Sequence, residues 1–352
     1  MIERLPEDAQ TLHSELLALL LLRERDRDWS HLSGSFANKR VKGREYVYFQ
    51  YSDPGGTRRQ FSVGRRSEAI DAIVAEYRLG RARQSADLEQ ISRLSGLLRA
   101  AGVAMTPHAP ARVIRALAEA GLFVLGGVLV GSYAFQVLGN LLGFSWPNAA
   151  WRTQDIDIAA QLLVAVPALE ADVPKALEAL QMGFVPVPQL DVKQPSTSFR
   201  VRGKPLSVDL ITPGGERDVE PIFIPRFQAA AAPIKFLSLV MREAQPASVV
   251  DGSTASLVVV PSPARFALHK LLLSQSRSVI QQTKGGKDLH QAALLLETLA
   301  EDRPDDLESA ALSFAESGPA VTRKVTRALR AAVKRWPDAE PGAAIVRAVL
   351  SA

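Results

Sequence analysis

A chain of 352 residues with 47% apolar and 22% charged residues can build two or three domains around a sizeable core, and its composition is that of a globular protein. Cysteine is absent, which excludes disulfides and thiolate zinc sites and fits a reducing compartment. The net charge of +5 permits an acidic partner such as RNA or DNA without demanding one. The longest early apolar run, Leu16 to Leu22, is too short to span a bilayer and follows acidic residues rather than a basic segment. The expectation is a cytoplasmic chain with no signal peptide and no membrane association.

In chain order, residues 8–27 predict a helix with Leu12, Leu16, Leu19, Leu20 and Leu22 on its apolar face. Residues 33–63 are rich in β-formers and predict two or three antiparallel strands, with turns at Gly43 and at Pro54-Gly55-Gly56. Lys39, Arg40, Lys42, Arg44, Arg58 and Arg59 concentrate there among Tyr and Phe. Such a sheet is either a nucleic-acid platform or an ordinary one, with its aromatics packed on helices and its cations solvating an edge. Residues 66–83 and 85–101 predict two helices. The break at Met105 to Pro110 predicts the first domain boundary, and residues 111–120 predict a helix.

The run from Val124 to Val130 then predicts a buried strand ending at Gly131-Ser132, with a helical pattern from Tyr133 to Leu142. Backbone N–H groups at such a strand-to-helix turn are free to meet an anion. After a loop containing Phe144, Trp146 and Trp151 comes a second apolar run, Asp155-Ile156-Asp157-Ile158-Ala159. On a strand its two carboxylates share one face and its two Ile the other. Residues 169–181 predict a helix, residues 197–202 and 206–212 a pair of strands, and residues 222–227 a further strand. Residues 233–242 are ambiguous. Residues 256–260 predict a short strand, and the chain from Ala264 reads as mostly helical.

Carboxylates are costly to bury unpaired, so Asp155 and Asp157 in an apolar strand point to a metal or a buried ion pair. Asp209 sits in a similar apolar run, Val208-Asp209-Leu210-Ile211. Three Asp on neighbouring strands suit two Mg²⁺ ions roughly 3.5–4 Å apart, with Mn²⁺ as a substitute. Other chemistries fit less well. No Gly-Lys-Ser/Thr follows the glycines, and Gly126-Gly127-x-x-x-Gly131 lacks dinucleotide spacing. His13, His31, His108, His269 and His290 have no metal-ligand spacing, and Ser132 lacks a Gly-x-Ser-x-Gly setting.

Gly131-Ser132, Asp155-x-Asp157 and a later Asp209 together resemble the DNA-polymerase-β-like nucleotidyltransferase superfamily, over about residues 110–215. The resemblance implies an α+β fold whose centre is a palm, a mixed sheet with flanking helices. It would follow an N-terminal helix and a small β-sheet, and precede a helical C-terminal region. The expected domains are 1–105, 106–262 and 263–352. It also implies that Gly131 and Ser132 hold the triphosphate, that Asp155 and Asp157 bind both metals, and that Asp209 positions the metal that activates the acceptor. A second block, Lys270, Arg277, Lys284, Lys287 and Asp288, is similar to the Lys-then-Lys-Asp-x-x-Asp pattern of AbiEii-type nucleotidyltransferases, many of them toxins or defence proteins. There Lys270 would contact nucleotide phosphate, joined by Arg277 and Lys287, with Asp288 supporting the site. Two departures stand out: Gln291 replaces the second Asp of the pattern, and the loop before Asp155 is long. The implied activity is Mg²⁺-dependent transfer of NMP from an NTP to a hydroxyl of an RNA (tRNA-like) or protein acceptor, in a toxin or defence setting. A partner protein or a second copy of the chain belongs to the same expectation. The alternative is a non-catalytic adapter on the same scaffold, docking nucleic acid or a nucleoprotein through the basic sheet.

Overall fold

The computed structural model describes residues 2–27, 34–52, 58–147, 153–160, 171–215, 218–276 and 282–351. The turn at Pro54-Gly55-Gly56, Trp151 and Arg277 lie outside the described residues. The chain opens with β1 (Glu3–Arg4) and α1 (Glu7–Arg25), then β2 (Gly34–Val41), β3 (Arg44–Ser52) and β4 (Arg58–Arg65), which form a three-stranded antiparallel sheet. Next comes α2 (Glu68–Ala100), a single helix where the sequence predicts two. Ser67 caps it, and Tyr77, Ile91, Leu94 and Leu98 are buried along one stripe. The polar stretch near Ser85 does not break it. Neither Pro nor Gly falls between 81 and 95, and Gln84 is buried, bonded by Arg81 at 3.1 Å.

The centre comprises α3 (His108–Glu119), β5 (Gly127–Val130), α4 (Gly131–Leu142), β6 (Phe144–Ser145), β7 (Asp155–Ala160), α5 (Val173–Ala179), β8 (Phe184–Pro186), β9 (Ser198–Val201), β10 (Ser207–Gly214), β11 (Ile222–Ile224), β12 (Ala229–Lys235) and α6 (Leu237–Met241). Its mixed sheet runs β11-β12-β10-β7-β5, with β9 beside β10 and β8 beside β9. β10 is parallel to both β7 and β12, whereas β5 is antiparallel to β7. β12 reads as Ala-Ala-Ala-Ala-Pro-Ile-Lys, a run whose single strong β-former is Ile234. Pairing beside β10, rather than intrinsic propensity, sets its conformation. β11 is shorter than its sequence predicts, because Pro225 begins a 3₁₀ turn there. Among the described residues, the hairpin of β13 (Gln245–Val250) and β14 (Ala255–Val260) precedes five α-helices, α7 (Pro263–Ser274), α8 (Gln282–Asp302), α9 (Pro304–Ala315), α10 (Pro319–Arg335) and α11 (Glu340–Ser351). No helix among the described residues is long and apolar enough to cross a membrane.

One continuous core joins α3, α4 and the mixed sheet to the C-terminal helices, through residues such as Phe135, Phe266, Leu295 and Phe314. A second cluster packs Leu16 and Leu20 of α1 and Ile91, Leu94 and Leu98 of α2 against Val250 and Ala255 of the hairpin. The first part of the loop before Asp155 also has a structural account. α4 ends at Gly143 in the left-handed region (φ 79°), and β6 turns back to pair with β1. Trp146 stacks on Phe135 at 5.0 Å and donates its indole N–H to the Phe135 carbonyl at 2.8 Å. A Cβ at residue 139 would lie 2.2 Å from that indole nitrogen, so Gly139 admits the ring.

Candidate active site

Strand register brings the sequence signals together. Val130, the last residue of β5, lies opposite Asp157 on β7, and Asp157 lies opposite Asp209 on β10. Asp155 lies opposite Ser207. Ile156, Ile158, Val208 and Leu210 are all at most 1% exposed, while the three Asp alternate with them on the other face. That alternation is the one predicted from sequence, and the register adds that Asp157 is central. The Ser207 hydroxyl reaches two of the carboxylates, Asp155 Oδ1 at 2.9 Å and Asp209 Oδ2 at 3.4 Å.

Gly131 follows directly, with φ +69°. A Cβ there would fall 2.0 Å from Asp157 Oδ2. Glycine is therefore required twice, by the left-handed backbone and by the carboxylate packed against it. The following helix has no side-chain cap at its N-terminus, so its first N–H groups remain available to an anion.

Burial first, and crowding of like charge second, set the electrostatics. Burial, then Asp209, and to a lesser degree Asp155, push the Asp157 carboxyl up to about 7, against the opposing pull of Lys270 and Lys284. Burial and the nearby Asp155 push the Tyr133 hydroxyl up to about 12, and this hydroxyl donates to the Thr153 carbonyl at 3.2 Å.

The second sequence block, from the C-terminal helices, meets the first here. Lys270 on α7 is 6% exposed and pairs with Asp288 on α8 at 2.8 Å. Its ammonium also stands 5.2 Å from the Phe266 ring centre. Burial holds the Lys287 ammonium below its usual range, helped by Lys270 and opposed by Asp288, Asp157 and Asp155. Gln291, where the AbiEii-type pattern has Asp, is fully buried and donates to Ser132 Oγ at 3.5 Å. Sequence reasoning noted Gln291 only as a departure from the motif, assigning it no role, and passed over Ser207. Both carry a positional signal: Gln291 stands three residues after Asp288 on one helix face, and Ser207 two residues before Asp209 on one strand face.

Among the described residues no group of three or more His, Asp or Glu is already gathered to hold a metal ion. The donor chemistry nevertheless fits a hard divalent cation. Asp157 and Asp209 are directly opposed, Asp155 shares their face, and the repulsion that burdens Asp157 is what a cation between them would relieve.

Comparison with known proteins adds the following. A family model described as Nucleotidyltransferase matches residues 108–316, more than half of the chain and every described residue of this constellation. No curated protein matches. Among solved structures the chain is similar to an antigenic nucleotidyltransferase-like protein from Paracoccidioides brasiliensis. The two share 14% identity over 63% of this chain and 94% of that one, with a TM-score of 0.32. A likeness that distant carries no argument about the site.

Proposed function

Because the chain belongs to the nucleotidyltransferase family whose model spans residues 108–316, we propose that it transfers NMP from an NTP to a hydroxyl of an acceptor, on a polymerase-β-like palm. One observation carries this reading: Asp157 stands between the Gly131 turn on one side and Asp209 on the other. That register sets a phosphate-ready backbone beside paired carboxylates.

In this reading the turn at Gly131 and Ser132 cradles the phosphates, with Gln291 fixing the Ser132 hydroxyl. Asp155, Asp157 and Asp209 would hold Mg²⁺, which supplies charge neutralisation at the phosphates and at the attacking oxygen. Ser207 steadies Asp155 and Asp209. Lys270, held by Asp288, and Lys287 present positive charge to the phosphates as negative charge builds on the leaving group. The acceptor oxygen bonds to the α-phosphorus while the bond from that phosphorus to the bridging oxygen breaks. Asp209 takes the acceptor proton, and pyrophosphate leaves.

Incubation with α-labelled NTPs, Mg²⁺ and bulk RNA or protein tests the proposal. Label should pass to a macromolecular acceptor, and Asp155→Ala or Asp157→Ala should abolish the transfer. Transfer that survives either substitution would remove these residues from the mechanism.

A further inference from the structure

The basic sheet of β2, β3 and β4 lies outside the residues matched by the family, and the transfer site does not use it. Charge is concentrated there. Residues 34–66 hold eight Lys and Arg against two Asp and Glu, whereas the rest of the chain holds 34 against 35. The positive excess of the whole protein therefore sits on this element.

The sheet has two unlike faces. Along β3, Glu45, Val47, Phe49 and Tyr51 alternate with Arg44, Tyr46, Tyr48 and Gln50. Val47 and Phe49 are 2% and 0% exposed, on the side covered by α2. Tyr77 of α2 meets Phe36 and Phe49 edge-on at 5.2 and 5.3 Å and donates to the Gly34 carbonyl at 3.0 Å. The acid on this side is neutralised, since Glu45 pairs with Arg40 at 3.3 Å and with Arg66 at 3.6 Å.

The opposite face is not covered by α2 and, among its described residues, holds no acid to offset its cations. Tyr46 is flanked across the strands by Lys39 and Arg65, and Gln50 by Ser35 and Gln60. The Lys39 ammonium lies 4.9 Å from the Tyr48 ring centre and donates to Gln60 Oε1 at 2.9 Å. Lys39, Arg44, Arg58 and Arg65 are exposed, and the two Tyr are half-buried. No carboxylate stands among the described residues of this face. Tyr46 and Tyr48, two residues apart on one strand, stand about 7 Å from each other, within the reach of successive unstacked bases.

We propose that this outer face binds single-stranded RNA. The cations answer backbone phosphate, the two Tyr rings offer planes for bases, and the Gln and Ser side chains offer partners to base edges and 2′-hydroxyls. A duplex keeps its bases stacked inward and leaves the rings without a partner. The proposal names the acceptor class for the transfer reading, and rests on that reading only for what happens to the RNA after it binds.

Fluorescence anisotropy with the full chain tests it, using a labelled single-stranded RNA of about 12 nucleotides, the same sequence as DNA and as duplex RNA, and sedimentation with anionic vesicles. Single-stranded RNA should bind best, and more weakly as salt rises. Tyr46→Ala with Tyr48→Ala should weaken binding at least about 30-fold, while Tyr46→Phe with Tyr48→Phe should preserve it. Lys39→Glu with Arg65→Glu should weaken binding and flatten its salt dependence. Asp157→Asn should bind RNA as the parent does, which separates this surface from the chemistry. Equal binding of duplex or DNA, vesicle binding without RNA binding, or an unchanged affinity in the Ala variant would overturn the proposal. If the Ala variant fails to fold, the Phe and Glu variants still decide the matter: lost binding in the first or unchanged binding in the second would overturn it equally.

Discussion

Asp157→Asn should make this protein more stable while stopping transfer. Asparagine keeps the shape of the carboxyl and removes the charge that burial, Asp209 and Asp155 oppose. The sign follows from linkage. The folded carboxyl is pushed from 3.8 up to about 7, so between those values the folded chain binds more protons than the unfolded chain. Stability is therefore lost as pH rises from about 4 to about 7, and the whole loss is present above 7. At 1.36 kcal/mol per pH unit the ceiling is about 4 kcal/mol. Partial solvent access at Asp157 brings the expected gain to roughly 1–3 kcal/mol. Urea unfolding of parent and variant in parallel at several pH values reads this, since titrating groups not coupled to Asp157 cancel in the difference. The advantage of the variant should be small near pH 4, grow through pH 6 and level off above 7. A variant no more stable than the parent at pH 8, or a difference that ignores pH, would show that Asp157 is not under this repulsion.

Three further predictions concern the same site. Gly131→Ala should cost at least about 2 kcal/mol, seen as a lower melting temperature, because it adds left-handed strain and a Cβ against Asp157; an unchanged melt would contradict the close approach. Lys270→Met or Asp288→Leu alone should cost roughly 3–5 kcal/mol in urea unfolding by leaving one buried charge unpaired, and the double variant should recover most of it; additive losses would mean that the pair is not coupled. Mg²⁺ with a non-hydrolysable NTP should raise the melting temperature, by about 2.7 kcal/mol of stability at a hundredfold excess over Kd, and chelation or Asp155→Ala should remove the effect. A nucleotide-induced shift of equal size with and without Mg²⁺ would refute a metal-bridged site.

The carboxylates were legible because strand alternation is short-range. Ile156 and Ile158 declare the buried side, so Asp155 and Asp157 must share the other. What places Asp157 opposite Asp209 is register between strands 52 residues apart, and no local pattern encodes it. Gln291 was legible only as a departure from a motif. Its bond to Ser132 comes from packing α8 onto the start of α4. In the N-terminal sheet, alternation separates Tyr46 and Tyr48 from Val47 and Phe49. Which set α2 would cover depends on the reach of Tyr77, 28 residues beyond Phe49. The Ala run of β12 carried no signal in the sequence and α2 was split into two helices for a related reason: neighbours, rather than intrinsic preference, fix their conformation.

The buried Lys270–Asp288 pair has a bearing on biosynthesis. The turn, the three carboxylates and the hydroxyl that steadies two of them all leave the ribosome well before Lys270, and Asp288 follows later still. Until then the acidic strands have no cationic counterpart from α7 and α8, while the N-terminal sheet and α2 are already complete in the chain. On the proposed reading, the site is therefore completed only after Asp288 has been translated. If the outer face of that sheet binds RNA as proposed, a nascent chain, or one truncated before Asp288, holds RNA there yet is unable to modify it.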